Sequence, residues 1–232
     1  MSGSLDYLRR NLEELSAELE AIAKRANVPA PKLVSVTKSG SDEELLELFR
    51  FGAAAMGENR PQELKRRAEL LSSFGLSPEL HQIGTLQSNK VKLIADKVTL
   101  IHSLDSLSLA KEIDKQAKKH NRKIPVLIEI NSAKEPQKSG ILPEDAERFY
   151  LEVSRFPNIE VVGLMTMGPA VCTDGELRSY FRETKKLFDE LRKKYGFGEE
   201  PVLSMGMSDS YEIAIEEGST MVRVGRRLFK KD

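Results

Sequence analysis

Apolar residues recur at spacings of three and four over the first segment, at Leu5, Leu8, Leu12, Leu15, Leu19 and Ile22. That spacing predicts an amphipathic helix with one buried face. Pro29 and Pro31 end the segment. From there short apolar runs alternate with helical patterns, and strands are expected at 32–37, 53–57, 80–84, 99–103, 125–131, 160–166, 201–205 and 221–224. The intervening helices carry recognisable punctuation. Ser41 to Glu44 reads as a capping box ahead of Leu45 and Leu48. Pro61 and Pro143 suit the first turn of a helix. Leu177, Tyr180, Phe181, Thr184, Leu187, Phe188 and Leu191 form one stripe that Gly196 closes.

Several strand candidates, such as Val126 to Ile130 and Val161 to Met165, are near-continuous apolar runs. Such runs belong to strands covered by helices on both faces, as in parallel sheets. Eight strands alternating with helices predict a single (β/α)8 TIM barrel with an extra N-terminal helix. A doubly wound open sheet is the alternative that the same alternation allows. No repeat, low-complexity tract or linker divides the chain, so residues 1–232 are expected to form one barrel domain. Residues 226–232 are too few for a full final helix, and the N-terminal helix is expected to cover the seam between the first and last strands.

Composition narrows the function classes. The 36 Lys+Arg and 36 Asp+Glu leave no net charge, which argues against a dedicated nucleic-acid binder. The basic run at 115–123 reads as the solvated end of a helix. One cysteine, Cys172, excludes an intrachain disulfide, and with His81, His102 and His120 it shows no metal-ligand spacing. The first ten residues lack the apolar core of a signal peptide, and no apolar run reaches membrane-spanning length. A soluble, cytoplasmic protein with no membrane partner is expected.

In a barrel, chemistry gathers where strands end. The first strand ends in Lys38, which reads either as a solvated side chain with a packed stem or as a partly buried amine able to form a Schiff base. Asn59 follows the second strand, as a ligand-orienting amide or a helix cap. His81 and His102 sit in apolar strands, where a satisfied core histidine is the plainer role. After the seventh strand, Gly206 permits close backbone approach, and Ser208 offers a helix cap and a hydroxyl to an anion. Gly225 opens the backbone after the eighth strand, so both loops fall at the usual phosphate site of this fold. Arg223 lies inside an apolar strand, where a charge needs a buried partner or ligand; Glu129 is the structural candidate. A reactive lysine, a phosphate cradle and a nearby arginine together suit an aldehyde bearing a phosphate, and pyridoxal 5'-phosphate is such a molecule.

The chain resembles the YggS/PROSC family, the pyridoxal phosphate homeostasis proteins, almost end to end. The resemblance rests on Leu33-Val-Ser-Val-Thr-Lys38, Gly57-Glu-Asn59 with Gln62-Glu63, His81-Gln-Ile-Gly84 with Leu86-Gln-Ser-Asn-Lys90, and Ile101-His-Ser103. It continues through Lys138-Ser-Gly-Ile141, Gly163-Leu-Met165, Leu203-Ser-Met-Gly-Met-Ser-Asp209, Gly218-Ser-Thr-Met-Val-Arg223 and Gly225. It implies a barrel similar to that of alanine racemase, with pyridoxal phosphate joined to Lys38 as an internal aldimine. Ser208, Gly225 and the backbone of Arg226 would hold the phosphate, Arg223 would face the pyridine nitrogen, and Asn59 would lie beside the cofactor. Lys138 matches a second family lysine, with cofactor exchange or a plain solvated loop as its two roles. The chain departs from the family in having Arg226 where threonine is usual, and Arg60-Pro61 where Tyr-Val is common.

An arginine against the ring nitrogen donates a hydrogen bond but does not surrender a proton, because its pKa lies above roughly 12. The ring is then a poor electron sink. The resemblance implies that racemase draws its second acid/base group from an additional domain, for which a chain ending at Asp232 has no room. The expectation is therefore not an enzyme but a carrier or buffer that supplies pyridoxal phosphate, with cofactor-dependent apo-enzymes as recipients. The alternatives are a Schiff-base lyase or aldolase, a racemase-like enzyme on a small phosphorylated or amino-acid substrate, or an interaction scaffold. The resemblance implies a monomer; a dimer through the leucine-rich helix is the other possibility.

Overall fold

Eight parallel strands hydrogen-bond in chain order into a closed barrel. They are β1 (Lys32–Val36), β2 (Ala55–Glu58), β3 (Glu79–Gln82), β4 (Leu100–Leu104), β5 (Ile124–Ile130), β6 (Ile159–Thr166), β7 (Val202–Ser204) and β8 (Met221–Val224). Each lies within two residues of its expected position. Closure excludes the open sheet: β1 pairs with β2 on one side and with β8 on the other, Val34 lying opposite Arg223. The computed structural model describes residues 5–169 and 171–231. Met1 to Ser4 and Asp232, on which the leader and chain-end expectations fall, lie outside the described residues, as does Ala170.

The helices are α1 (Asp6–Ala26), α2 (Asp42–Arg50), α3 (Pro61–Ser73), α4 (Leu107–Lys119), α5 (Ala146–Val153), α6 (Asp174–Tyr195) and α7 (Tyr211–Glu216). The capping box forms at α2: Ser41 Oγ accepts from the Glu44 amide, and the Glu44 carboxylate accepts from the Ser41 amide. Pro61 is the first residue of α3. Pro143 instead opens a 3-10 turn, Pro143–Asp145, that leads into α5. Between β3 and β4 the connection is a 3-10 helix, Ser88–Leu93, rather than an α-helix.

Strand alternation sorts the side chains into two cores. Val34, Val36, Ala55, Leu127, Met165 and Met221 fill the barrel interior. A larger cluster lies between the strands and the surrounding helices. At the seam, Leu12, Leu15, Leu19 and Ile22 of α1 pack on Leu48, Tyr211, Ile215, Val222, Val224 and Leu228. The first helix thus covers the barrel at β8, in line with the expectation drawn from the short segment after the last strand. Asn11 locks it further by donating to the carbonyls of Leu228 and Lys230 at 3.1 and 2.9 Å. Among the described residues, no helix is long and apolar enough to cross a membrane.

Candidate functional site

The turn after β1 is held from beneath. Thr37 Oγ1 donates to the Glu58 carboxylate. Arg67, from α3, donates to the carbonyls of Thr37 and Gly40 at 2.5 and 2.9 Å and lies 3.3 Å from Glu58. Burial pushes the Glu58 carboxyl above its ordinary value, while Thr37 and the Arg67 charge oppose the rise. This clamp fixes the backbone on both sides of Lys38, whose side chain is exposed rather than partly buried. Its ammonium has no hydrogen-bond or ion-pair partner among the described residues. Arg67 was absent from the sequence-based site, yet a signal exists: it shares the spacing of Leu64 and Leu71 and so sits on the buried face of α3.

Arg223 is buried in β8 and points into the barrel interior. Its guanidinium donates to Ser204 Oγ at 2.5 Å and to the Thr166 carbonyl at 3.1 Å. The expected partner, Glu129, makes no hydrogen bond or ion pair with it among the described residues. The reason is topological: Ser204 and Thr166 stand on β7 and β6, nearer to β8 in the barrel than β5 is. Glu129 acts only through its field. Burial lowers Arg223 to about 10, with Glu129 opposing the fall, so the guanidinium stays charged at neutral pH. Burial raises Glu129 to about 7, the Asp105 charge adding to the effect and Arg223 opposing it.

Two loops flank Arg223. Gly206, with φ +96°, turns the chain after β7, and its carbonyl accepts from the Arg223 amide at 3.0 Å. Ser208 does not cap a helix. The N-cap position of α7 is Ser210, whose hydroxyl accepts from the Met207 amide. The Ser208 hydroxyl has no partner among the described residues, and neither its amide nor that of Asp209 makes a backbone hydrogen bond there. The amides of Arg226 and Arg227 on the second loop are likewise without backbone acceptors among the described residues. Gly225 has a packing cause: a Cβ there would stand 2.7 Å from the Val36 carbonyl oxygen. Arg226 is exposed and pairs with Asp209, bridging the two loops.

The remaining candidates sort as follows. Asn59 is exposed and does not cap α3, whose N-cap position is Arg60; the Asn59 carbonyl accepts from Gln82 Nε2 at 2.9 Å. Gln82 itself is buried, and its Oε1 has no partner among the described residues. Lys138 lies in the loop after β5, 2.5 Å from Glu135 and 3.3 Å from the Gly168 carbonyl. His81 and His102 are buried and hydrogen-bonded to each other at 2.9 Å. No group of three or more His, Cys, Asp or Glu side chains suits a metal among the described residues.

Barrel order makes β7, β8, β1 and β2 consecutive neighbours. Ser208, Gly225, Arg226, Lys38 and Asn59 therefore stand around one arc of the C-terminal mouth, with Arg223 beneath them. Uncommitted amides on two adjacent loops are anion donors. A free amine and a buried guanidinium beside them complete a donor set that fits a phosphorylated aldehyde carrying a ring nitrogen.

Residues 10–231 match the family model described as the alanine racemase, N-terminal domain. The pyridoxal phosphate homeostasis protein of Aquifex aeolicus (strain VF5) is 42% identical over 224 residues, covering 97% of this chain and 96% of that protein. Its counterpart in Helicobacter pylori (strain ATCC 700392 / 26695) is 37% identical, covering 98% of this chain and all of the other. Among solved structures, PipY of Synechococcus elongatus PCC7942 with PLP bound superposes with a TM-score of 0.84 at 28% identity, covering 96% of this chain and 100% of that one. Alanine racemase from Corynebacterium glutamicum, at 21% identity and a TM-score of 0.71, shares the fold, and this chain spans 62% of it. With a family model matched over nearly its whole length and full-length relatives above 30% identity, the chain belongs to the pyridoxal phosphate homeostasis proteins, a family built on the alanine racemase N-terminal barrel.

Proposed function

We propose that the protein binds pyridoxal 5'-phosphate at the C-terminal mouth of the barrel and serves as a carrier or buffer of the cofactor rather than as an enzyme. The observation that carries this is the convergence of the exposed Lys38 amine, the buried Arg223 and two amide-bearing loops on one arc of the mouth. When bound, the cofactor supplies an aldehyde and a pyridine ring that can withdraw electrons. Lys38 is the amine to which the aldehyde attaches. The amides of Ser208, Asp209 and Arg226, with the Ser208 hydroxyl, receive the phosphate. Asn59 borders the site beside Lys38. Arg223 donates to the ring nitrogen and, being charged at neutral pH, gives that atom no proton to keep. This disfavours the carbanion chemistry of most enzymes that use the cofactor. The exposure of Lys38 suits a cofactor that has to leave again, with apo-enzymes that depend on it as recipients.

The test is direct. The protein mixed with pyridoxal phosphate should turn yellow, and borohydride should bleach it while fixing a pyridoxyl group on Lys38 in a peptide map. Lys38→Ala should give no such adduct. A chain that takes up no cofactor, or an adduct mapping to another lysine, overturns the site. Racemisation of alanine, or aldol cleavage of a β-hydroxy amino acid, at rates of about 1 per second or more would place it among enzymes instead.

A further inference from the structure

One polar feature of the barrel is left unused by this site. Ser204, which accepts from Arg223, also lies 3.0 Å from His102 Nδ1. His102 Nε2 lies 2.9 Å from His81 Nδ1, and His81 Nε2 lies 3.2 Å from a Glu79 carboxylate oxygen. The other Glu79 oxygen is 2.5 Å from Lys32 Nζ. These side chains come from β8, β7, β4, β3 and β1, so the chain runs through the barrel from its C-terminal mouth to the opposite face. There Lys32, Glu79 and His81 border a cavity of about 500 Å³ with Glu160, Glu199 and Glu200.

The charges at the two ends dictate every proton between them. Hydrogen bonding from His81, with Lys32 behind it, takes the Glu79 carboxyl down to about 2, so it accepts only. His81 Nε2 must then carry a proton. Burial holds both imidazoles below their ordinary pKa, so each is neutral and has one N–H. His81 Nδ1 is therefore an acceptor and takes the proton of His102 Nε2. His102 Nδ1 in turn accepts from the Ser204 hydroxyl, whose lone pair faces the Arg223 N–H. Guanidinium, hydroxyl, imidazole and imidazole each donate to the next in one direction, and the carboxylate accepts at the end. Reversing any single link sets two lone pairs or two protons face to face, at a cost that grows in a dry interior.

Resting on the reading of Arg223 as the group at the cofactor's ring nitrogen, we propose that Ser204, His102, His81 and Glu79 are positioning residues for it. Their one-way hydrogen-bonded chain anchors the guanidinium from the far face of the barrel. It is a polar strut: its lower end is set by an ion pair at the base, and its upper end holds one arm of the arginine while the Thr166 carbonyl holds the other.

Glu79 is half-exposed and far from the mouth, so Glu79→Ala is the variant of choice, with Glu79→Gln as the conservative control, since the amide oxygen can still accept from His81. The first readout needs no cofactor: two-bond ¹H–¹⁵N correlation of the histidine rings and the Arg223 guanidinium resonances. Wild type should show His81 and His102 both protonated at Nε2. Glu79→Ala should give mixed tautomers and a shifted, faster-exchanging Arg223 signal, and Glu79→Gln should restore both. The second readout is the loaded protein, where Glu79→Ala should shift the absorbance maximum and speed cofactor release about threefold to tenfold, the loss of one hydrogen bond's worth of positioning. An Nδ1–H tautomer on either ring in wild type, or an Arg223 signal indifferent to Glu79, overturns the strut. If the protein binds no cofactor the functional reading fails, while the ring and guanidinium resonances still decide the strut.

Discussion

Glu129 provides a quantitative test of the mouth's electrostatics. It is buried at the end of β5, and burial lifts its carboxyl from 4.5 to about 7, with Asp105 adding to the rise and Arg223 opposing it. The folded state therefore prefers the neutral acid. A group whose folded pKa is raised contributes its stability in full below the unfolded value and loses it as pH climbs through the folded one. The window here runs from 4.5 to about 7. At about 1.4 kcal/mol per pH unit, the charged carboxylate at alkaline pH costs roughly 3 kcal/mol relative to the neutral acid. Glu129→Gln mimics the neutral form at every pH. Urea unfolding of both proteins from about pH 5 to about pH 9 should show the variant gaining on wild type by about 3 kcal/mol, most of it acquired by about pH 8. A difference that stays flat would refute the burial argument. A wild type that gains on the variant as pH rises would show instead that Glu129 sits in the fold as a well-paired carboxylate.

Arg67→Met should destabilise the protein by about 3–5 kcal/mol in urea, because it strands the buried Glu58 carboxylate and two carbonyls; Glu58→Gln on the same background should recover a large part of that loss. Gly163→Ala should cost on the order of 3 kcal/mol and lower Tm, since the added Cβ would fall 1.8 Å from the Val202 carbonyl oxygen and force β6 from β7. Arg226→Thr removes only an exposed ion pair, so stability should change by less than about 1 kcal/mol. The same variant should bind pyridoxal phosphate with a flatter dependence on salt, as titrations at low and high ionic strength would show.

The architecture was legible because barrel strands and their covering helices write themselves in local pattern. The runs at Val126 to Ile130 and Val161 to Met165, and the stripe from Leu5 to Ile22, needed no long-range information. Strand ends pointed to Lys38, Arg223 and the two glycine loops for the same reason. What pattern does not encode is azimuth around the barrel. Glu129 looked like the partner of Arg223 because both are charges in apolar strands, yet Ser204 and the Thr166 carbonyl stand closer. His81 and His102 read as core histidines, which is correct as far as it goes. That they touch each other and reach Ser204 depends on closure bringing β3, β4 and β7 around one interior. Ser208 has the residue type of a cap, but α7 starts at Tyr211 and the turn before it is stapled by Ser210.

The covering of β8 by α1 has a consequence for how the protein is made. Asn11 and its acceptor Leu228 are 217 residues apart, so α1 leaves the ribosome well before the segment that it binds. At about 5–20 residues per second, some 10–40 seconds separate the two events. Throughout that interval the leucine face of α1 has Leu48 to pack on but lacks its native partners on α7 and β8, and the barrel has an open edge at β1. Synthesis, rather than the finished fold, is the stage at which this chain is most exposed to aggregation. A circular permutant that begins after α1 and carries that helix at its far end would make the two halves of the seam within moments of each other.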